Sequence, residues 1–329
     1  FGDRFIYEAQ SMKLELAYSD HIQLSESLNE LGQTTRITQL EEGEGKYMMS
    51  FKQSAGIALA EIQSTQPLLY EGWGTSWSVD FNWITPKCKL NDPFGYCEGY
   101  EMKEDSLGGF NTINTSPGNS WGKYSNSCSS TACMLDKRIL MKILKECNAT
   151  QAIDNLSKAR GLDINNESLH QLKKLTRKDL ARGIINPTKY YDLIVACLES
   201  GEKRDYKKGL TKNYRLLGEI VQLSHDSSRM SSPMTLSDVC QYLDTGQASL
   251  YRVCQDYFGM GIIEMMTQIR LEEARRSLLM LKQNEKNHAL TVRDIAISYG
   301  FKHQGRFSRR YFTSFGELPS QSLDKSKGL

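Results

Sequence analysis

The 329 residues carry 39% hydrophobic and 24% charged side chains, which supplies material for packed cores and excludes a disordered chain, a collagen-like repeat or a disulfide-dense miniprotein. The length argues for two or three domains. The net charge of +2 is a cancellation, because residues 1–130 sum to −8, residues 131–232 to +7 and residues 233–329 to +3. An acidic front repels phosphate and a basic rear attracts it.

The opening Phe1-Gly2-Asp3-Arg4 has no signal-peptide layout, and no run of apolar residues is long enough to span a membrane. The expected location is therefore the cytoplasm. From Thr35 to Asn126 short runs such as Tyr47–Phe51, Gly56–Ile62 and Trp77–Ile84 alternate with Gly, Pro, Asn and Asp, the texture of a β-barrel or sandwich. Residues 111–130, rich in Ser, Asn, Gly and Thr, read as loop. After Cys133 the period becomes helical, with Leu135, Ile139, Leu140, Ile143 and Leu144 on one face. Helical segments follow at Glu167–Leu180 and Pro187–Glu199, and the charged stretch Glu202–Lys212 reads as a hinge or the approach to a helix. The eight cysteines contain no C-x-x-C pair and are expected as reduced thiols, with Cys240 and Cys254 serving as small core residues.

Near the C-terminus one layout occurs twice. Thr235 with Asp238, and Thr291 with Asp294, place an N-cap hydroxyl three residues before a carboxylate. Each start is followed by an apolar pair, Val239 with Leu243 and Ile295 with Tyr299, then a turn containing glycine. A second apolar stripe comes next, Leu250, Val253, Cys254 and Phe258 in one copy and Phe307, Tyr311 and Phe315 in the other. Two short helices joined by a tight turn form a helix-turn-helix, whose second helix fits the DNA major groove. The intervening Ile262–Lys282 reads as a helix. At ~1.5 Å per residue it spans ~30 Å, close to one DNA turn of ~34 Å.

Over Leu210–Leu323 the sequence resembles the AraC/XylS family of bacterial transcription regulators. The resemblance rests on Ile269-Arg270-Leu271-Glu272-Glu273-Ala274-Arg275-Arg276 and on Gly300-Phe301-Lys302-His303-Gln304-Gly305-Arg306-Phe307-Ser308, with Phe315-Gly316 and Pro319-Ser320 beyond. Cys254 departs from it, since the family more often has Phe there. The resemblance implies a seven-helix DNA-binding domain. Matching the family's base-facing positions are Ala248, Tyr251 and Arg252 in the first unit and Gln304, Arg306, Ser308 and Arg309 in the second, and Gln247 is expected to contact DNA beside the first set. Arg can pair bidentately with guanine, Gln with adenine, and Ala can touch a thymine methyl. Ser249, Lys302, His303 and Arg310 are expected to hold phosphates or position the helix.

The expected architecture is α+β. It comprises a β-rich sensor domain at 1–132, cupin-like barrel or sandwich, a helical connector or dimerisation region at 133–205, and an all-α AraC-type domain at 206–329. Trp73, Trp77, Phe81, Trp83 and Trp121 are candidates for an effector pocket, with filling of the β core as the alternative. The expected partners are double-stranded promoter DNA, a small-molecule effector, a second copy of the chain and RNA polymerase, with activation the expected outcome. No cofactor or metal is expected. A cupin-type oxygenase needs clustered His and carboxylate ligands, and the front half holds only His21. No phosphate loop or nucleophile elbow appears either, so an enzyme is not expected. The alternative is a ligand-independent regulator whose front domain serves only dimerisation or protein contact.

Overall fold

A computed structural model describes residues 12–33, 35–54, 56–72, 75, 77–87, 95–97, 100–110, 121–164, 167–182, 184–203, 208–281 and 290–326. The chain divides into two compact units, Phe1–Ile37 with Lys46–Tyr206 and Thr38–Gly45 with Lys207–Leu329. Among the described residues no helix is long and apolar enough to cross a membrane.

The first unit opens with β1 (Met12–Tyr18) and α1 (His21–Glu30), neither of which the sequence texture announces. Asp20 starts α1 by accepting the Ile22 N–H at 2.8 Å. Next in the chain come β2 (Arg36–Gln39), β3 (Tyr47–Ser54), β4 (Ile57–Ser64), β5 (Leu68–Glu71) and β6 (Ser78–Pro86). They are followed by β7 (Gly95–Cys97), β8 (Tyr100–Met102), β9 (Ser106–Gly108), β10 (Trp121–Tyr124) and β11 (Cys128–Asp136). Helices α2 (Lys137–Glu146) and α3 (Thr150–Lys158), strand β12 (Gly161–Asp163), helices α4 (Glu167–Ala181) and α5 (Pro187–Ser200), and strand β13 (Glu202–Lys203) complete it.

Among the described residues these strands form an eight-stranded sheet, β1-β3-β4-β11-β6-β9-β12-β13, and a five-stranded one, β2-β5-β10-β7-β8. Of the loop expected at 111–130, residues 111–120 lie outside the described residues, and 121–130 hold two strand segments, β10 and the start of β11. The helical period expected from Leu135 begins two residues later, because Leu135 is still paired with Val79 and Ile57 inside the larger sheet. Asp136 ends β11 and caps α2, accepting the N–H groups of Arg138 and Ile139 at 2.8 and 3.1 Å.

The larger sheet is buried on both faces. One face places Leu59, Phe81, Trp83, Cys133 and Leu135 against α2–α5 residues such as Leu140, Leu172, Tyr190 and Ile194. The other places Met49, Phe51, Ala60 and Met134 against Tyr70, Tyr100 and Tyr124 of the smaller sheet and Leu24 of α1. The helices at 137–200 thus share a core with the strands.

The second unit contains α6 (Lys208–Asp226), α7 (Leu236–Tyr242), α8 (Gln247–Phe258), α9 (Ile262–Met280), α10 (Val292–Ser298), α11 (Gln304–Phe315) and α12 (Pro319–Ser326). Helix α9 is buried nearly all round and packs against α6, α8, α10 and α12. Such a helix needs polar side chains that find partners inside. Arg275 Nη2 meets Glu317 Oε1 at 2.8 Å, the Ser322 hydroxyl donates to the same oxygen at 2.7 Å, and Tyr311 and Ser322 share a hydrogen bond of 2.7 Å. The Arg275 guanidinium also lies 4.6 Å from the centre of the Phe315 ring.

Thr38–Gly45 is the one piece of this unit distant in sequence from the rest. Gln39 accepts from the Gln268 side chain through its carbonyl at 3.3 Å and donates through its N–H to Glu272 Oε1 at 3.3 Å. Gly43 donates its N–H to the Ser314 carbonyl at 3.2 Å. The segment is therefore stitched to α9 and α11.

Candidate DNA-reading surface and effector cavity

The two helix-turn-helix units begin with identical capping boxes. Thr235 Oγ1 accepts the Asp238 N–H at 3.3 Å while Asp238 Oδ2 accepts the Thr235 N–H at 2.7 Å; for Thr291 and Asp294 the distances are 3.2 and 2.9 Å. These bonds hold both carboxylates below the ordinary value of 3.8: for Asp238 chiefly the backbone bond of Thr235, for Asp294 chiefly its bond with the Thr291 side chain. Each first helix turns the chain at a left-handed residue nine positions after its Thr, Asp244 with φ 46° and Gly300 with φ 79°. Glycine is required at 300 on two grounds, since a Cβ there would also sit 2.8 Å from the Met230 carbonyl and from Pro233 Cγ. The second turn is one residue longer, so α8 starts after Gly246 and α11 after His303. Both second helices then run twelve residues and end on a left-handed glycine, Gly259 or Gly316.

Aligning the two helices from their first residue pairs Gln247 with Gln304 and Arg252 with Arg309. The buried stripes are Leu250, Val253, Cys254, Tyr257 and Phe258 in α8 and Phe307, Tyr311, Ser314 and Phe315 in α11. At about 100° per residue, Arg252 lies about 200° round the helix from Leu250, and Arg309 the same from Phe307, so both point away from the core. Gln247, Ala248, Ser249, Tyr251 and Arg252 are exposed on α8. Lys302, His303, Gln304, Arg306, Arg309 and Arg310 are exposed on α11 and its approach, and Ser308 is half-buried. Gln255 and Phe312, both exposed, extend these faces by one turn. They are legible in the sequence once the apolar stripe fixes the helix face. Arg270 stacks 5.5 Å from the Phe301 ring, and burial first, then the charge of Arg310, lowers its pKa. This like-charge neighbourhood stands beside the base of α11, where a phosphate would relieve it.

The first unit holds a cavity of about 70 Å³ between its sheets. At ~10–15 Å³ each it has room for about five water-sized groups. Its floor is one face of the larger sheet, where register places Phe51, Ala60, Ala132 and Asn82 in a row and Met134 opposite Asp80. Tyr70 and Tyr124 of the smaller sheet cover it with rings edge to face at 5.6 Å. Gln33 reaches it from beyond α1, donating to Met134 Sδ at 2.8 Å. Burial pushes the Asp80 carboxyl up to about 6, against a hydrogen bond from Ser78 Oγ at 2.6 Å that acts the other way. Burial likewise raises the phenols of Tyr70 and Tyr124. Asn82 is fixed from behind by Gly109, whose φ is +85° and whose absent Cβ would lie 1.9 Å from Asn82 Nδ2.

The aromatic candidates for an effector pocket do not line this cavity. Phe81 and Trp83 alternate with Asp80 and Asn82 along β6, so they point to the opposite face and fill the core beneath α2–α5. Trp121 is buried on β10 away from the lining, and Trp77 packs at the edge of the inter-sheet core. Trp73 lies outside the described residues. Among the described residues no group of His, Cys, Asp or Glu could hold a metal ion.

Two helix-turn-helix units in tandem, each with an exposed second helix, define a DNA-binding domain. Residues 239–325 match the family model described as "Helix-turn-helix domain". The chain is 26% identical over 140 residues to "XylDLEGF operon transcriptional activator 2" of Pseudomonas putida, covering 42% of this chain and 85% of that one. It is 30% identical over 133 residues to "Probable thc operon regulatory protein" of Rhodococcus erythropolis, covering 39% of each. Among solved structures, an AraC-type transcriptional regulator from Chromobacterium violaceum matches at 21% identity and a TM-score of 0.31, over 35% of this chain and 96% of that one. The C-terminal unit therefore carries a helix-turn-helix domain similar to that of AraC/XylS-type transcriptional regulators.

Proposed function

We propose that the protein is a sequence-specific transcription regulator that lays α8 and α11 into successive major-groove segments of promoter DNA and answers to a small molecule held in the first unit. The observation that carries this reading is the repeated geometry of the two reading helices. Each presents a glutamine at its first position and an arginine at its sixth, on the face opposite the buried stripe. Arg252 and Arg309 would read guanine, Gln304 adenine, and Ala248 a thymine methyl, with Gln247, Tyr251, Arg306 and Ser308 beside them. Ser249, Lys302, His303 and Arg310 would hold phosphates and set the register.

Helix α9 supports tandem reading. Its nineteen residues span ~28 Å, close to the ~34 Å of one DNA turn. Activation is the direction favoured by the relative from P. putida, whose name is that of a transcriptional activator. A homodimer that engages RNA polymerase completes the proposal. Effector binding would shift the population between two arrangements of the protein.

Selection of bound sequences from random DNA by the full chain tests the core of this reading. A single enriched motif, with binding lost in Arg252→Ala and Arg309→Ala, is expected. Recovery of unenriched sequence would overturn it. Repeating the selection with cell extract tests effector dependence.

A further inference from the structure

The lining of the inter-sheet cavity constrains what it can hold. Among its described lining residues Asp80 is the sole formally charged one; none is Lys, Arg or His. A carboxylate ligand would enter a desolvated site opposite another carboxylate, with no positive charge among the described lining residues to receive it, an arrangement that is heavily penalised away from water. The remaining polar side chains on the cavity side are hydroxyls and amides: Gln33, Thr35, Asn82, Ser130 and the two tyrosines. Phe51, Tyr70 and Tyr124 supply aromatic surface, and aromatic rings attract cations. Ala60, Ile62, Ala132 and Met134 leave an apolar wall for a short hydrocarbon.

We propose that this cavity binds a small organic cation, a short-chain amine whose ammonium group pairs with Asp80 and whose hydrocarbon lies on Ala60, Ala132 and Met134 beneath the tyrosine rings. The proposal rests on reading the cavity as the effector site and names the chemistry of the effector. Size follows from the volume of about 70 Å³, which admits a molecule of about five non-hydrogen atoms. Asp80 is poised for the role. Burial lifts its carboxyl to about 6, so near neutral pH it is ionised at a cost that a bound ammonium relieves. Ser78 Oγ holds Asp80 Oδ1 at 2.6 Å and Thr75 Oγ1 holds Ser78 Oγ at 2.9 Å, fixing the carboxylate's orientation before any ligand arrives.

The test is a thermal-shift series at pH 7.5 on the full chain with n-butylamine, n-butanol and butyrate, three probes of matched length and different charge. Butylamine at about ten times its Kd is expected to raise the melting transition of the first unit, read by tryptophan emission, by about 3–6 °C. Butyrate is expected to leave it unchanged. The butylamine shift should disappear in Asp80→Asn, which keeps the shape and a hydrogen-bond acceptor, and in Ala132→Leu, which fills the cavity without touching Asp80. Equal shifts from butanol and butylamine, a shift from butyrate, no shift from butylamine, or a butylamine shift that survives Asp80→Asn would each overturn the assignment. DNA affinity measured with and without butylamine separates the two readings. Binding that leaves DNA affinity unchanged upholds the cation site and removes its role as the effector site.

Discussion

Replacing Glu317 by Gln tests whether the core of the helical unit depends on its buried ion pair. Arg275 and Glu317 side chains are 6% and 12% exposed, and two guanidinium nitrogens approach Glu317 Oε1 at 2.8 and 3.2 Å. At 2.8 Å and an effective dielectric constant of about 20, the gross attraction is about 6 kcal/mol. Desolvation cancels much of that while the pair is intact. Removing one partner leaves Arg275 charged beneath the Phe315 ring, for which about 3–5 kcal/mol is the expected loss. Glu317→Gln, which retains an acceptor for Ser322, should fall at the low end of that range. The double variant Arg275→Met with Glu317→Leu leaves no orphaned charge and should stay within about 1 kcal/mol of the parent. Urea unfolding of the full chain, followed by far-ultraviolet circular dichroism, measures these losses. Since all four tryptophans lie between residues 73 and 121, tryptophan emission reports the other unit separately. A loss in Glu317→Gln below about 0.5 kcal/mol, or a double variant less stable than either single one, would refute the reasoning.

Arg252→Ala and Arg309→Ala should each weaken specific DNA binding by about 1–3 kcal/mol in gel-shift titrations, with little change in non-specific affinity; unchanged specific affinity for both would remove them from the reading surface. Thr235→Ala and Thr291→Ala should each destabilise the helical unit by about 1 kcal/mol in denaturant titrations, equally within error because the two caps have the same geometry. Asp238 and Asp294 titrate below their ordinary value in the folded chain, so their caps contribute fully above pH ~4 and are lost as pH falls through the lowered folded values; an acid titration of helix content in wild type against the Thr variants checks the sign. Asp80 behaves oppositely. Its folded value of about 6 exceeds 3.8, so folding holds its proton more tightly and stability declines as pH rises through that window. Asp80→Asn should therefore match wild type near pH 4 and exceed it at pH 8 by roughly 3 kcal/mol, and a pH-independent difference would contradict the assignment.

The helical unit was legible because its signals are local. Thr235 and Asp238 are three residues apart, the buried stripe of α8 repeats at helical spacing, and the turn falls between them, so a stretch of 25 residues holds one whole helix-turn-helix. The cavity was not legible, and β6 shows why. In Ser78-Val79-Asp80-Phe81-Asn82-Trp83 the aromatic residues draw attention, yet alternation along a strand assigns them to one face and the carboxylate and amide to the other. When one side of a sheet meets water, hydrophobicity tells the faces apart. Here both are buried, and only the packing of α2–α5 on one side and of the smaller sheet on the other decides which face carries the cavity. The aromatic residues that cover it, Tyr70 and Tyr124, sit on strands whose partnership spans more than fifty residues of sequence. The start of β11 reads as loop in the sequence because Ser129 and Ser130 have little strand propensity, and pairing with β4 and β6 overrides it.

The stitching of Thr38–Gly45 into the helical unit has a consequence for anyone cutting or grafting this protein. The polypeptide passes from one unit to the other three times, before residue 38, after residue 45 and after residue 206. A gene fragment encoding only residues 207–329 would omit an eight-residue inlay, withdrawing Gln39 from Gln268 and Glu272 and Gly43 from the Ser314 carbonyl in the last turn of α11. Swapping readers between such regulators by a single crossover would carry the same defect, whereas a chimera that exchanges the inlay together with the helices would preserve the joinery.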